Sequence, residues 1–212
     1  MRTVTRSASR LASLLERLDA FDKPIPLDEL SEIVRRSGLT LADVRSHAIF
    51  GNRCYQRNII HTGPAYQALA LCWKSGQRSP IHDHHGSACV VRVLTGVATE
   101  TIFDRSACGL IYATTTRRLQ KGEVIGSQDA DIHQMGNLEP AGVGLVTLHV
   151  YSPPLLHMQT FSLGNAIDGE QDAALRAAIR SDSRASRNGH AVQNGRRRAA
   201  SRSKKTAVDS RR

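Results

Sequence analysis

The hydrophobic positions change period partway along the chain. Leu11, Leu14, Leu15 and Leu18 recur at helical spacing and predict an amphipathic helix, which Pro24 and Pro26 end. Asp28 to Val34 reads as a second helix stopped by Ser37-Gly38, and Thr40 as the N-cap of a third that runs to about His47. From Tyr55 onward the apolar residues fall in short runs, such as Gln67-Ala68-Leu69-Ala70-Leu71-Cys72-Trp73, separated by Gly, Pro, Asp or Ser. Many short strands between frequent turns predict an antiparallel barrel or sandwich. No internal repeat is visible.

Strand side chains alternate between faces, so the strand-like half of the chain can be sorted by parity. Thr147, His149 and Tyr151 share one face of a run whose other face is Val146, Leu148 and Val150. A strand with Thr, His and Tyr on one side and aliphatics on the other suits a barrel whose polar side lines a cavity. Tyr55 and Arg57 share a face in the same way. His82 and His84 point together if the strand persists between them. With nine histidines in the chain, a His-x-His triplet is a weak signal by itself. Its setting strengthens it, because it sits in Gly76-x5-His82-x-His84-x4-Cys89-x6-Gly96, followed by Gly122-x5-Gln128-x-Ala130-x2-His133-x3-Asn137. His133, on a strand alongside, closes a site of three nitrogen donors. Such a site, with positions left open, suits a divalent first-row metal that must also bind substrate; imidazole alone does not separate Fe from Ni, Co or Zn.

Composition narrows the class. At 212 residues, one domain with a disordered tail is the natural count. Cys54, Cys72, Cys89 and Cys108 form no Cys-x-x-Cys pair, which argues against a zinc knuckle or redox dithiol. No transmembrane span or signal h-region is evident. Arg2, Arg6 and Arg10 faintly resemble a transit peptide, but the stretch leads directly into a helical pattern, and a cytoplasmic location is expected. The formal charge of +10 is uneven: residues 171–212 hold 12 of the 29 Lys and Arg but 3 of the 19 Asp and Glu. That segment is too poor in apolar residues to fold alone. Arg196-Arg197-Arg198 and Lys204-Lys205 could touch polyanions, but no aromatic residue interleaves them for base stacking, so specific nucleic-acid binding is not expected.

The two glycine-framed blocks resemble the paired motifs of the cupin family, with Cys89 where most cupins carry a ligating Glu, and Gln128 and Ala130 where Pro and Gly are usual. The departure at Cys89 implies a three-histidine site. Ser79-Pro80-Ile81-His82-Asp83-His84, then Ser87, Cys89, Leu94, Gly96, Glu100 and Thr101, is similar to cysteine dioxygenase, as are Tyr55-Gln56-Arg57-Asn58 and Leu148-His149-Val150-Tyr151-Ser152-Pro153-Pro154. The resemblance covers roughly residues 10 to 163 in ordered blocks. It implies a mainly β cupin, a small antiparallel β-barrel or jelly roll, with short N-terminal helices. The expected division is residues 1–50 as a helical segment packed on the barrel, 51–165 as the cupin core and 170–212 as the basic tail.

The same resemblance implies roles. His82, His84 and His133 would hold Fe(II), with L-cysteine bound through thiolate and amine and one position left for O₂. Arg57 would clamp the substrate carboxylate with help from the Tyr55 hydroxyl. Tyr151 would stand beside the O₂ position, held by His149, with Thr147 behind it and Trp73 as adjoining wall. Cys89 and Tyr151 are candidates for a thioether crosslink, Cys89 being otherwise a packed thiol. The product would be cysteine sulfinate, made by a monomer. Relatives that oxidise 3-mercaptopropionate tend to carry Gln where Arg57 stands, so Arg57 favours cysteine, although a bulge at Gln56 would exchange the two faces. A non-enzymatic metal-binding cupin is the reading from another class, and it leaves Tyr151, His149 and Arg57 without a purpose.

Overall fold

Among the described residues, two α-helices, α1 (Arg10–Asp19) and α2 (Leu27–Arg36), precede ten strands: β1 (Gln56–Thr62), β2 (Gln67–Trp73), β3 (Ile81–His82), β4 (Ala88–Thr95), β5 (Ala98–Arg105), β6 (Ile111–Leu119), β7 (Val124–Gln128), β8 (Ile132–Gly136), β9 (Leu145–Ser152) and β10 (Thr160–Phe161). This computed structural model describes residues 9–107, 109–128 and 131–163. Arg2, Arg6, Cys108, Ala130 and the basic segment 170–212 lie outside the described residues. Every strand pair is antiparallel, in two five-stranded sheets of order β1-β2-β9-β4-β7 and β10-β3-β8-β5-β6. The fold is mainly β, as the short strand runs predict, and its two antiparallel sheets after short helices agree with the cupin that the resemblance implies. No described helix is long and apolar enough to cross a membrane.

The helices form for local reasons and stay because of what they cover. Ser9 caps α1, its hydroxyl accepting from Ala12 N at 3.1 Å. α2 starts behind Pro26 with Asp28 and Glu29 in its first turn and ends on Arg35 and Arg36, charges that suit the helix dipole at both ends. The third predicted helix is wound more tightly than an α-helix, a 3₁₀ helix over Leu41–His47 with Val44 at φ −119°. Seven residues leave few i→i+4 bonds to enforce α geometry, and Val44 leaves helical angles while burying its side chain completely.

β9 explains the parity pattern. All eight of its residues are buried, on both faces. Val146, Leu148 and Val150 join Ala68 and Val90 in a core closed by Leu14, Leu18, Leu30 and Val34 of the helices. Each such aliphatic contributes about 1.5–3 kcal/mol when fully removed from water. The opposite face of β9 presents Thr147, His149 and Tyr151, all buried. Gly96 makes the β4–β5 turn at φ +79°, where an added Cβ would lie 2.6 Å from the Gly144 carbonyl oxygen.

Candidate metal centre

The three predicted ligands come together. One ligand atom each from His82, His84 and His133 lies within 4.8 Å of the others, and all three side chains are buried. His82 and His133 are in register on β3 and β8. His84 arrives differently from the parity argument, because β3 ends at His82. The chain stays extended for one more residue through reciprocal bonds: Asp83 N donates to Gln159 O at 3.1 Å, and Gln159 N donates to Asp83 Oδ1 at 2.9 Å. A turn then begins, with Ser87 N donating to His84 O at 3.0 Å. The alternation therefore survives without a regular strand. His85, at φ 32°, turns outward and is exposed.

Each imidazole has its Nδ1 occupied from outside the cluster. His82 Nδ1 lies 2.9 Å from Pro80 O, His84 Nδ1 3.4 Å from Ser127 Oγ and His133 Nδ1 2.8 Å from Glu100 Oε1. The Nε2 atoms are thereby left for the centre, and His84 Nε2 is buried with no hydrogen-bond partner. A buried nitrogen without a partner costs about 1–3 kcal/mol, and a metal ion at the point of convergence would satisfy it. Burial, followed by the neighbouring His133, brings the His82 pKa down to about 3. Burial and the other two rings likewise push His84 far below the usual histidine range. Both rings are therefore neutral at physiological pH, the form that binds a metal. The donor set fits a divalent first-row metal.

Sequence reasoning missed Glu100 as a site residue. It lies on β5, is 1% exposed, and accepts from His133 on one oxygen and from Arg117 Nε at 2.6 Å on the other. Burial raises its carboxyl pKa, but the bonds from His133 and Arg117 outweigh that and hold it below the usual range. In the sequence Glu100 figures only among the residues that resemble cysteine dioxygenase, with no role attached to it.

A second cluster lines the same interior. Arg57 is buried while Gln56 is exposed, and the β1 bulge falls later, between Ile59 and His61, so the faces of Gln56 and Arg57 are not exchanged. The Arg57 guanidinium carbon lies 5.7 Å from the centre of the Tyr151 ring, and its charge is felt at His82, His84 and His149. Tyr55 falls just ahead of β1 and stacks on Trp73, centroids 4.2 Å and planes 11° apart. Burial raises the Tyr55 pKa against the opposing pull of Arg57. Trp73 is more than wall: its Nε1 donates to Thr147 Oγ1 at 3.1 Å. Thr147 Oγ1 is 3.0 Å from His149 Nε2, and His149 Nδ1 is 3.3 Å from the Tyr151 hydroxyl. Burial, then the Arg57 charge, lowers the His149 pKa well below its ordinary value, so this chain is uncharged.

Cys89 and Tyr151 are direct partners across β4 and β9, and Cys89 Sγ lies 4.0 Å from His149 Nδ1. Burial pushes the Cys89 thiol up to about 12 and raises the Tyr151 phenol as well, so both keep their protons at neutral pH. Cys72 is buried in the core beneath the helices, and Cys54 is exposed.

Comparison with known proteins follows this geometry. The family model described as cysteine dioxygenase type I matches residues 1–164. Cysteine dioxygenase type 1 from Rattus norvegicus is 30% identical over 156 residues, covering 70% of this chain and 76% of the relative. Its counterpart from Danio rerio is 31% identical over 145 residues, covering 65% and 70%. Among solved structures, an uncharacterized double-stranded β-helix protein from Klebsiella pneumoniae aligns with a TM-score of 0.46 at 14% identity, over 55% of this chain and 87% of that one.

Proposed function

The chain belongs to the cysteine dioxygenase type I family, and from that premise we propose that it is a non-haem iron(II) enzyme that adds both atoms of O₂ to the sulfur of L-cysteine, giving cysteine sulfinate. The observation that carries the choice of substrate is the buried Arg57, set beside Tyr55 and Tyr151 with its charge felt at His82, His84 and His149. A guanidinium held beside these rings can offer charge-assisted bonds to an incoming anion. An amino-acid carboxylate is an anion of the right size and planarity for the guanidinium fork. Gln56 is exposed while Arg57 is buried, which supports cysteine over 3-mercaptopropionate.

Held by His82, His84 and His133, iron(II) would supply the redox chemistry that joins O₂ to a thiol. The electrons that sulfur loses are those the two oxygen atoms take up, so no outside reductant is required. The protein's residues do the positioning. Arg57 and the Tyr55 hydroxyl fix the carboxylate end, so the thiol reaches the histidine cluster in one orientation. Tyr151 keeps its proton at neutral pH and can donate it as a hydrogen bond to oxygen atoms being delivered to sulfur. His149 holds the Tyr151 hydroxyl, and Thr147 with Trp73 holds His149. The Cys89 thiol, across from Tyr151 in the β4–β9 register, would form a thioether with the tyrosine ring, losing its own hydrogen and one ring hydrogen to O₂ as oxidant.

Initial O₂ uptake by Fe(II)-loaded protein tests the substrate. L-Cysteine is expected to outrun cysteamine, which lacks the carboxylate, and 3-mercaptopropionate, which lacks the amine. A preference for 3-mercaptopropionate would refute the cysteine assignment.

The crosslink has its own signature. A fraction of purified protein should be lighter by two hydrogens and run as a second band on reducing gels, and Cys89→Ser should remove that band while leaving measurable turnover. A single species of unmodified mass after many turnovers would show that Cys89 is only a packed thiol.

A further inference from the structure

The three metal-facing rings are backed unequally, by a backbone carbonyl at His82, a hydroxyl at 3.4 Å at His84 and a carboxylate at His133. A carboxylate can only accept, so the bond to Glu100 fixes His133 with its proton on Nδ1 and its Nε2 lone pair facing the centre. Glu100 has no freedom to turn away. Its second oxygen is held by Arg117 Nε at 2.6 Å, and Glu100 and Arg117 are directly paired across β5 and β6. The strand row continues on the other side, where Glu100 pairs with Met135 of β8, two residues beyond His133. Two neighbouring strands thus hold one buried carboxylate against one ring.

Building on the metal-centre reading above, we propose that Glu100, clamped by Arg117, is a positioning residue that delivers negative charge to the bound metal through His133. Cys89 stands where the cupin motif usually has an acidic ligand, so the ligands themselves supply no charge. Glu100 returns part of that charge from behind His133 and takes up no coordination position, leaving room for substrate. A hydrogen-bonded carboxylate makes an imidazole a stronger donor, and loss of such a partner typically weakens metal binding about 10- to 100-fold. Arg117 sets how much of the charge is passed on: it neutralises one oxygen of the carboxylate while keeping the other aimed at His133.

The test is anaerobic titration of the metal-free full chain with Fe(II), followed by measurement of the Fe(III)/Fe(II) potential of the loaded protein, neither requiring a thiol. Glu100→Gln, which keeps the shape and removes the charge, should raise the Fe(II) Kd about 10- to 100-fold and raise the potential, because ferric iron loses more from the missing negative charge. Arg117→Met should move the potential the opposite way, since the carboxylate then acts unneutralised. Far-ultraviolet circular dichroism checks that each variant folds, and Arg117→Met alone still decides the sign if Glu100→Gln does not. An unchanged Kd in folded Glu100→Gln, or potentials that shift the same way in both variants, would overturn the proposal. Opposite shifts in a protein that leaves cysteine untouched would uphold it while refuting the substrate reading.

Discussion

Arg57→Gln should lower kcat/KM for L-cysteine by roughly 30- to 1000-fold, the equivalent of about 2–4 kcal/mol for a charge-assisted pair of bonds in a semi-enclosed cavity. Gln can still offer an amide donor, but not the charge or the fork. The carboxylate would then sit among Tyr55, Tyr151 and neutral histidines with nothing to balance it. The loss should fall mainly on cysteine, so the advantage over cysteamine, which has no carboxylate to clamp, should nearly vanish. Initial O₂ uptake with each thiol, on wild type and variant, measures both effects. Intact cysteine kinetics in Arg57→Gln would mean that the carboxylate binds elsewhere. Tyr55, which Arg57 hydrogen-bonds, is itself stacked on Trp73, so these rings should matter for the same end of the substrate.

Removal of any one ligand should abolish turnover. His82→Ala, His84→Ala or His133→Ala each leaves two nitrogens, and the lost donor also opens the interior to water. Iron content by elemental analysis should fall from close to one per chain in wild type to near zero in each variant, alongside the loss of O₂ uptake. His133→Ala carries a second consequence: Glu100, deprived of its His133 donor, keeps only Arg117. Full thiol oxidation by His133→Ala or by metal-free protein would sink the three-histidine centre.

The clustering of the three histidines was legible in the sequence because metal sites on strands obey short spacings. Two histidines one residue apart and a third in a second glycine-framed block are enough to suggest the trio. The parity of β9 was legible for the same reason, and it turned out to separate two buried faces, one under the helices and one toward His84 of the histidine cluster. Arg57 could be named, but its facing depended on where the β1 bulge lay, which only the pairing with β2 reveals. Glu100 was not legible as a site residue. Its role depends on β5 lying beside β8 and on Arg117 approaching from β6, and local sequence encodes neither neighbour. The hydrogen bond from Trp73 to Thr147 was hidden similarly: β2 and β9 are distant in sequence and adjacent in the sheet. The 3₁₀ form of the third helix reflects burial of Val44, a tertiary demand that an N-cap signal at Thr40 does not convey.

The central claim is that this cavity places both atoms of O₂ on the sulfur of cysteine. The direct measurement is anaerobic reconstitution with Fe(II), exposure to ¹⁸O₂ with L-cysteine, and mass spectrometry of the product. Cysteine sulfinate carrying two labelled oxygens, formed in proportion to bound iron and to O₂ consumed, is the expected result. Cystine as the sole product, or sulfinate at the rate given by metal-free protein, would contradict it.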